Sequence, residues 1–174
     1  MPTRNPHFQY DKKESAWVIR AGVGGAAESC FLEQNAVALE DQGMGDLSKI
    51  DPVREAFYEA YRSMNKHETR TAIAGIGGKF YRFVHDIQIG DIVLYPSLKT
   101  KEVFCGEIIG EYQFIKEDKD FPHQRKVYWI TNFPKDSLSK AAQYELGAAR
   151  TLFKYQRNLS EIIDKLRSAQ NSGD

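Results

Sequence analysis

Two cysteines in 174 residues, Cys30 and Cys105, make neither a disulfide framework nor a metal knuckle. Both read as small buried apolar residues. No CxxC, H-x3-H or HExxH occurs, so no zinc site is written in the spacing. GxSxG, GxGxxG and the GK[ST] of a P-loop are also missing. The four histidines, His7, His67, His85 and His123, are scattered, and no hydrolase triad is visible. No apolar run approaches the roughly 18 residues of a membrane span. Met1 to Glu14 is polar with no signal-peptide core, which leads us to expect a cytoplasmic protein with no membrane partner. Net charge is absent as well: 24 Lys and Arg balance 24 Asp and Glu. That balance excludes a bulk electrostatic binder of nucleic acid or anionic lipid. No catalytic residue, metal or cofactor is expected from these patterns.

A core is present. Hydrophobic residues make up 41% and aromatics 12%, enough for one globular domain. The charge, though balanced, is segregated. Glu28 to Asp46 carries five acids and no Lys or Arg, whereas Lys49 to Arg82 carries seven bases against four acids. From Phe121 onward the count is nine bases to five acids, so one side can still grip phosphates locally.

Residues 1–14 read as a flexible arm. Ala16-Trp17-Val18-Ile19 reads as a strand, followed by the Gly-rich turn Arg20 to Gly25. A helical turn over 28–34 and a weak strand over 35–39 come next. Asp51-Pro52 suits a helix start, with Val53, Phe57, Tyr61 and Met64 on one face. Thr69 caps a second helix whose apolar positions Ile73, Ile76, Phe80, Phe83, Val84 and Ile87 form the cleanest face in the chain. Gly75, Gly77 and Gly78 interrupt it, each costing up to about 1 kcal/mol against Ala. They imply close packing or a ligand near the backbone.

The helix runs into Gly90-Asp91 and then a hairpin, Ile92 to Tyr95 and Val103 to Ile109, with a bulge at Gly110. Strands over 126–131 and 149–155, a short helix over 137–144 and an amphipathic C-terminal helix complete the chain. The expected fold class is α+β: a curled mixed β-barrel of five to six strands, with two or three helices packed on it and a C-terminal helix. Residues 15–157 form the expected domain, and 158–174 the C-terminal helix and tail.

Glu117-Asp118-Lys119 spells the E-x-K of a metal-dependent nuclease, but in a polar loop rather than on a strand. Aromatics interleaved with bases are the richer signal. Trp17, Tyr81, Tyr95, Phe104, Tyr112 and Trp129 lie in or beside predicted strands and the plugging helix. Core packing accounts for most of them, while two or three at a barrel mouth suffice to stack a flipped-out base. Arg20, Lys79, Arg82 and Lys99, expected near that mouth, suit phosphates.

The phrases "WVIRAGVGGAAESCFLEQNAVALE", "GDLSKI", "AIAGIGGKFYRFVHDIQIGDIVLYP", "GEIIGEYQF" and "RKVYWI", in this order, resemble a domain that precedes Mrr-type nuclease domains in restriction proteins. That domain is PUA-like and similar to EVE, ASCH and YTH domains. The resemblance covers about Trp17 to Tyr155. It implies a curled β-barrel that reads nucleic acid, DNA more than RNA, often through a modified base extruded into a pocket. It also implies a nuclease or other effector as a partner in a restriction or defence setting. By position the pocket walls are Arg20, Ala21 and Gly22, then Gly75, Ile76 and Gly77, then Tyr95 to Ser97, with Trp17 as a further aromatic. Relatives carry Trp where this chain has Ile76. Two other readings stand beside this one: a small-ligand sensor coupled to an effector, and a Mrr-associated nuclease component.

Overall fold

A computed structural model describes residues 3–173. Met1 and Pro2 of the expected arm and Asp174 of the tail lie outside them. Seven strands form one curled mixed sheet: β1 (Ala16–Ile19), β2 (Ala36–Leu39), β3 (Ile92–Pro96), β4 (Glu102–Ile108), β5 (Gln113–Phe114), β6 (His123–Pro134) and β7 (Leu152–Tyr155). Their order is β2-β6-β4-β3-β1-β7, with β5 beside the start of β6. Only β1 and β3 run parallel. β2 and β7 are the two edges and do not pair, so the sheet is a half-barrel, in keeping with the curled mixed sheet that the sequence suggests. Five helices accompany it: α1 (Glu28–Glu33), α2 (Arg54–Met64), α3 (Arg70–Tyr81), α4 (Lys140–Leu146) and α5 (Leu159–Asn171).

Each face of the sheet buries its own core. On one face Trp17, Ile19, Phe31, Val37, Val93 and Tyr95 pack against Phe57 of α2 and Phe80 and Phe83 of the α3 segment. On the other, Val18, Leu94, Cys105 and Tyr155 pack against Leu146 of α4 and Leu159, Ile162 and Leu166 of α5. Phe8 and Tyr10 join this second core, and the Tyr10 hydroxyl donates to Gln170 of α5. The segments expected to flank a self-contained 15–157 domain are thus part of one of its two cores.

Thr69 caps α3 as its sequence implies, its hydroxyl accepting from the Ala72 N–H at 3.1 Å. Of the glycines of α3, Gly77 is explained by α2: a Cβ there would lie 2.8 Å from the Tyr58 ring and 3.2 Å from the Phe57 carbonyl. The start of α2 departs from expectation. The helix begins at Arg54, and Val53 and Met64 are exposed, leaving Phe57 and Tyr61 as its buried face. After Tyr81 the helix widens into a π turn, Arg82–Asp86. This inserts one residue and turns His85 toward Phe57, whose ring it meets at 5.7 Å, instead of to the open side.

Arg125, 1% exposed, fixes this helical plug. Its Nη1 donates to the carbonyls of Phe83 and Ile87, while Nε and Nη2 donate to the Gly110 carbonyl. A cation at the C-terminal end of a helix is favoured by the orphan carbonyls there. Across the gap, Arg82 Nη2 donates to the Leu152 carbonyl of β7 at 3.3 Å. Two arginines therefore tie the plug to opposite parts of the half-barrel.

Beside Arg125, His123 is fully buried. The Tyr112 hydroxyl accepts the Leu47 N–H at 3.1 Å and is hydrogen-bonded to His123 Nδ1 at 2.8 Å. The other ring nitrogen, Nε2, has no hydrogen-bond partner and faces Asp41 at 4.0 Å. Phe80 and Phe114 flank the ring. Burial, and in smaller part the charge of Lys79, push this imidazole down to about 4 against the pull of Asp41 and Asp46. A histidine depressed in the fold binds its proton more readily when unfolded. Stability is then full above pH 6.5 and is lost as pH falls toward the folded value. Between pH 6.5 and about pH 5 the loss is expected to be about 2 kcal/mol. Urea unfolding at the two pH values checks this, and His123→Gln should flatten the difference.

Candidate nucleic-acid interface

At the end of the sheet where β3 finishes, the fold gathers a polar cluster. Glu28, at the start of α1, is largely buried. Its Oε1 accepts from the Tyr95 hydroxyl at 2.8 Å and from Ser97 Oγ, and Lys99 Nζ lies 3.5 Å from Oε2. Burial raises the Glu28 carboxyl, but the hydrogen bonds from Ser97 and Tyr95 and the charge of Lys99 outweigh it and hold it below the usual carboxylate range. Burial and donation to Glu28 push the Tyr95 phenol up, so it remains a donor. Gly25, buried at φ +79°, abuts the cluster: a Cβ there would sit 3.7 Å from Lys99 Cε and 4.0 Å from the Tyr95 hydroxyl.

A second cluster lies beside it. Tyr95 and Ile19 sit side by side across β3 and β1, and Ile19 pairs with Leu152 of β7. The Leu152 backbone to which Arg82 bonds thus stands two strand spacings from the Tyr95 backbone, on the order of 10 Å. Arg54 joins it: a Cβ on Gly78 would be 3.3 Å from Arg82 Nη1 and 3.9 Å from Arg54 Nη1. Arg54 is paired with Asp86 at 2.9 Å and lies 4.6 Å from the centre of the Tyr81 ring. Burial is the main influence lowering the Arg82 guanidinium, with the like charges of Arg54 and Arg150 adding to it. Three cations thus share one patch with a single bonded carboxylate, Asp86.

Of the residues expected to line a pocket, Tyr95, Ser97 and Lys99 come together around Glu28. Ala21 is buried beneath them, its carbonyl accepting from Ala27 at 2.8 Å. Gly22, at φ +71°, backs onto Phe121, whose ring would meet a Cβ at 3.1 Å. The others go elsewhere. Trp17 lies at the far end of β3, its indole N–H bonded to Asp91 at 3.0 Å, and belongs to the core. Arg20 lines a cleft with Pro96 and Ser97, but its guanidinium is engaged by the carbonyls of Leu146, Ala148 and Arg150 at the end of α4. Gly75 is exposed with open space around it, Ile76 packs at the core's edge, and Gly77 is covered by α2. Lys79 is drawn toward the acidic segment, where burial lowers it while Glu40 supports its charge, and its Nζ lies 4.9 Å from the centre of the Phe80 ring. Tyr95 meets Phe31 edge-on at 5.0 Å, so neither it nor Trp17 is free to build an aromatic cage.

Glu28 and Phe121 were not anticipated. An acid in a helix's first turn reads as ordinary dipole compensation, and only its place just after the Gly-rich turn hints at more.

Residues 18–156 match a family described as Domain of unknown function (DUF8426). The chain belongs to this family. No curated protein matches it. The match runs from β1 through β7, so the Glu28 cluster and all three arginines are within the part shared by the family. Glu117-Asp118-Lys119 is also inside it, in the loop between β5 and β6. Among the described residues no helix is long and apolar enough to cross a membrane.

Proposed function

We propose that the protein is a nucleic-acid reader of PUA-like type, akin to EVE and YTH domains. On this reading it holds a backbone with Arg54, Arg82 and Arg150 and reads a base, flipped out and DNA-borne in preference to RNA, at the Glu28 cluster. A restriction or defence role with a nuclease or other effector follows from the same resemblance. The observation that carries the reading is the pairing of the two clusters: three crowded guanidinium groups, one bonded to backbone about two strands from Tyr95, and a buried carboxylate. Guanidinium groups match phosphate oxygens, and a carboxylate accepts from the exocyclic amino group of a base. The Lys99 ammonium beside Glu28 suits a carbonyl or ring nitrogen on the same base edge, while Tyr95 donates its one proton to Glu28. Without an aromatic cage, recognition rests on hydrogen bonding, with half-buried Phe104 stacked on Tyr95 at 6.0 Å and Phe121 behind Gly22.

The test is a titration of the protein with single- and double-stranded oligonucleotides, plain and base-methylated, at several fixed salt concentrations. We expect one base chemistry to be preferred about tenfold or more, as one good base contact supplies. Arg54→Ala combined with Arg150→Ala should lower the salt slope by about 2 without changing that preference. Binding to no oligonucleotide, or an unchanged slope in the double variant, contradicts the reading.

A further inference from the structure

The outer edge of β7 carries a second concavity, outside the Glu28 cluster. It is a cleft of about 760 Å³ between α4, β7 and the turn before α5. Tyr144, 87% exposed, stands over it from α4. The floor is flat because its residues are small: Gly147, Ala148 and Ala149, with Phe153 behind. Arg157 is exposed on its rim and Arg150 follows directly from the floor, while Lys154 lines the cleft with its Nζ 5.4 Å from the centre of the Trp17 ring. Its one acid, Glu145, is fully engaged, accepting the N–H groups of Gln156, Arg157 and Asn158 and the Asn158 side-chain amide, all within 3.0 Å. The carboxylate shapes the turn, and its charge is turned onto these four N–H donors.

We propose that this cleft is a stacking groove for a nucleotide strand flanking the base read at the Glu28 cluster, with Tyr144 as the platform. This rests on the nucleic-acid reading above and adds a second point of engagement. An exposed aromatic above a flat apolar floor suits the face of any base, and the cations of the rim suit its phosphates. The groove continues the arginine patch: Arg150 lies between them, and Arg82 bonds to Leu152 on the strand that forms the wall. A strand leaving the mouth along the β7 edge would meet Arg82, Arg150 and then Tyr144. Charge complementarity and the flat aromatic platform favour a nucleotide strand over an acidic peptide.

The experiment uses the whole chain and three proteins: wild type, Tyr144→Ala and Tyr144→Trp. Tyr144 is so exposed that neither change disturbs folding. Each is titrated with oligonucleotides of increasing length, some carrying 5-iodouracil at successive positions for photocrosslinking. Beyond a threshold length, Tyr144→Ala should bind roughly tenfold more weakly while Tyr144→Trp binds as wild type, in keeping with the strength of base–aromatic stacking. Short oligonucleotides should bind both equally, and wild type should crosslink through Tyr144 at one fixed offset from the read base. Equal affinity of Tyr144→Ala and wild type at every length, or displacement of the Tyr144 crosslink by polyglutamate without loss of binding at the mouth, overturns this inference alone. Binding of no oligonucleotide by wild type overturns it together with the reading it rests on.

Discussion

Arg125→Ala is expected to lower the unfolding free energy by about 3–5 kcal/mol. Three carbonyls depend on this guanidinium: Phe83 and Ile87 at the end of the plugging helix, and Gly110 between β4 and β5. Removing it leaves buried acceptors unsatisfied and opens a cavity where the side chain was 1% exposed. Burial lowers this guanidinium, Glu111 partly offsetting it, so its charge is held at a cost that the carbonyls meet. Lysine cannot repair the site, since a single ammonium does not span carbonyls on two sides. Arg125→Lys should recover less than half of the loss. Urea or guanidinium unfolding measures both variants, and a midpoint near wild type for Arg125→Ala would mean the plug is held by apolar packing alone.

Gly106→Ala is expected to cost about 3 kcal/mol for the opposite reason, overpacking. The β4–β6 register slips between Cys105 and Gly106, which face Thr131 and Trp129, so Ile130 is the extra residue on β6. The bulge brings β6 down over Gly106. A Cβ there would lie 2.6 Å from the Tyr128 carbonyl, 2.8 Å from Val127 Cγ1 and 2.9 Å from Trp129 Cε3. The nearest of these is backbone, so no rotamer change relieves it, and the two longest strands must separate. Chemical denaturation would show a lowered midpoint with an unchanged slope, whereas wild-type stability would mean the bulge yields freely. The sequence places a bulge at Gly110 instead. There a Cβ would meet Lys126 Cβ at 3.1 Å, a close approach without a register shift.

Where periodicity and capping both speak, the chain was legible. Thr69, Ile73, Phe80 and Phe83 define α3, and the Gly90-Asp91 turn launches β3, with Gly90 at φ +92° and Asp91 accepting the Gln88 N–H. Illegible parts share one cause: polar residues whose role depends on a distant partner. His123, Gln124 and Arg125 read as loop before a strand at Lys126, yet they are the buried start of β6, satisfied largely by Tyr112, Phe121 and the helix carbonyls. Likewise Arg20 reads as a phosphate ligand because nothing local shows the α4 carbonyls 126 and 128 residues away. Half of the candidate site, Tyr95, Ser97 and Lys99, could be placed because a hairpin turn keeps them together. Glu28 could not, because it reaches them across 67 and 69 residues of chain.

The central claim is that the Glu28 cluster and the arginine patch together hold nucleic acid. Its most direct test is an NMR titration of isotope-labelled protein with the best-binding oligonucleotide. The account predicts that the backbone signals of Tyr95 and Ser97 and the guanidinium signals of Arg54 and Arg82 shift together at saturation, while the buried His123 to Arg125 segment stays unmoved. Shifts confined to other surfaces, or no shift at saturating oligonucleotide, would contradict it.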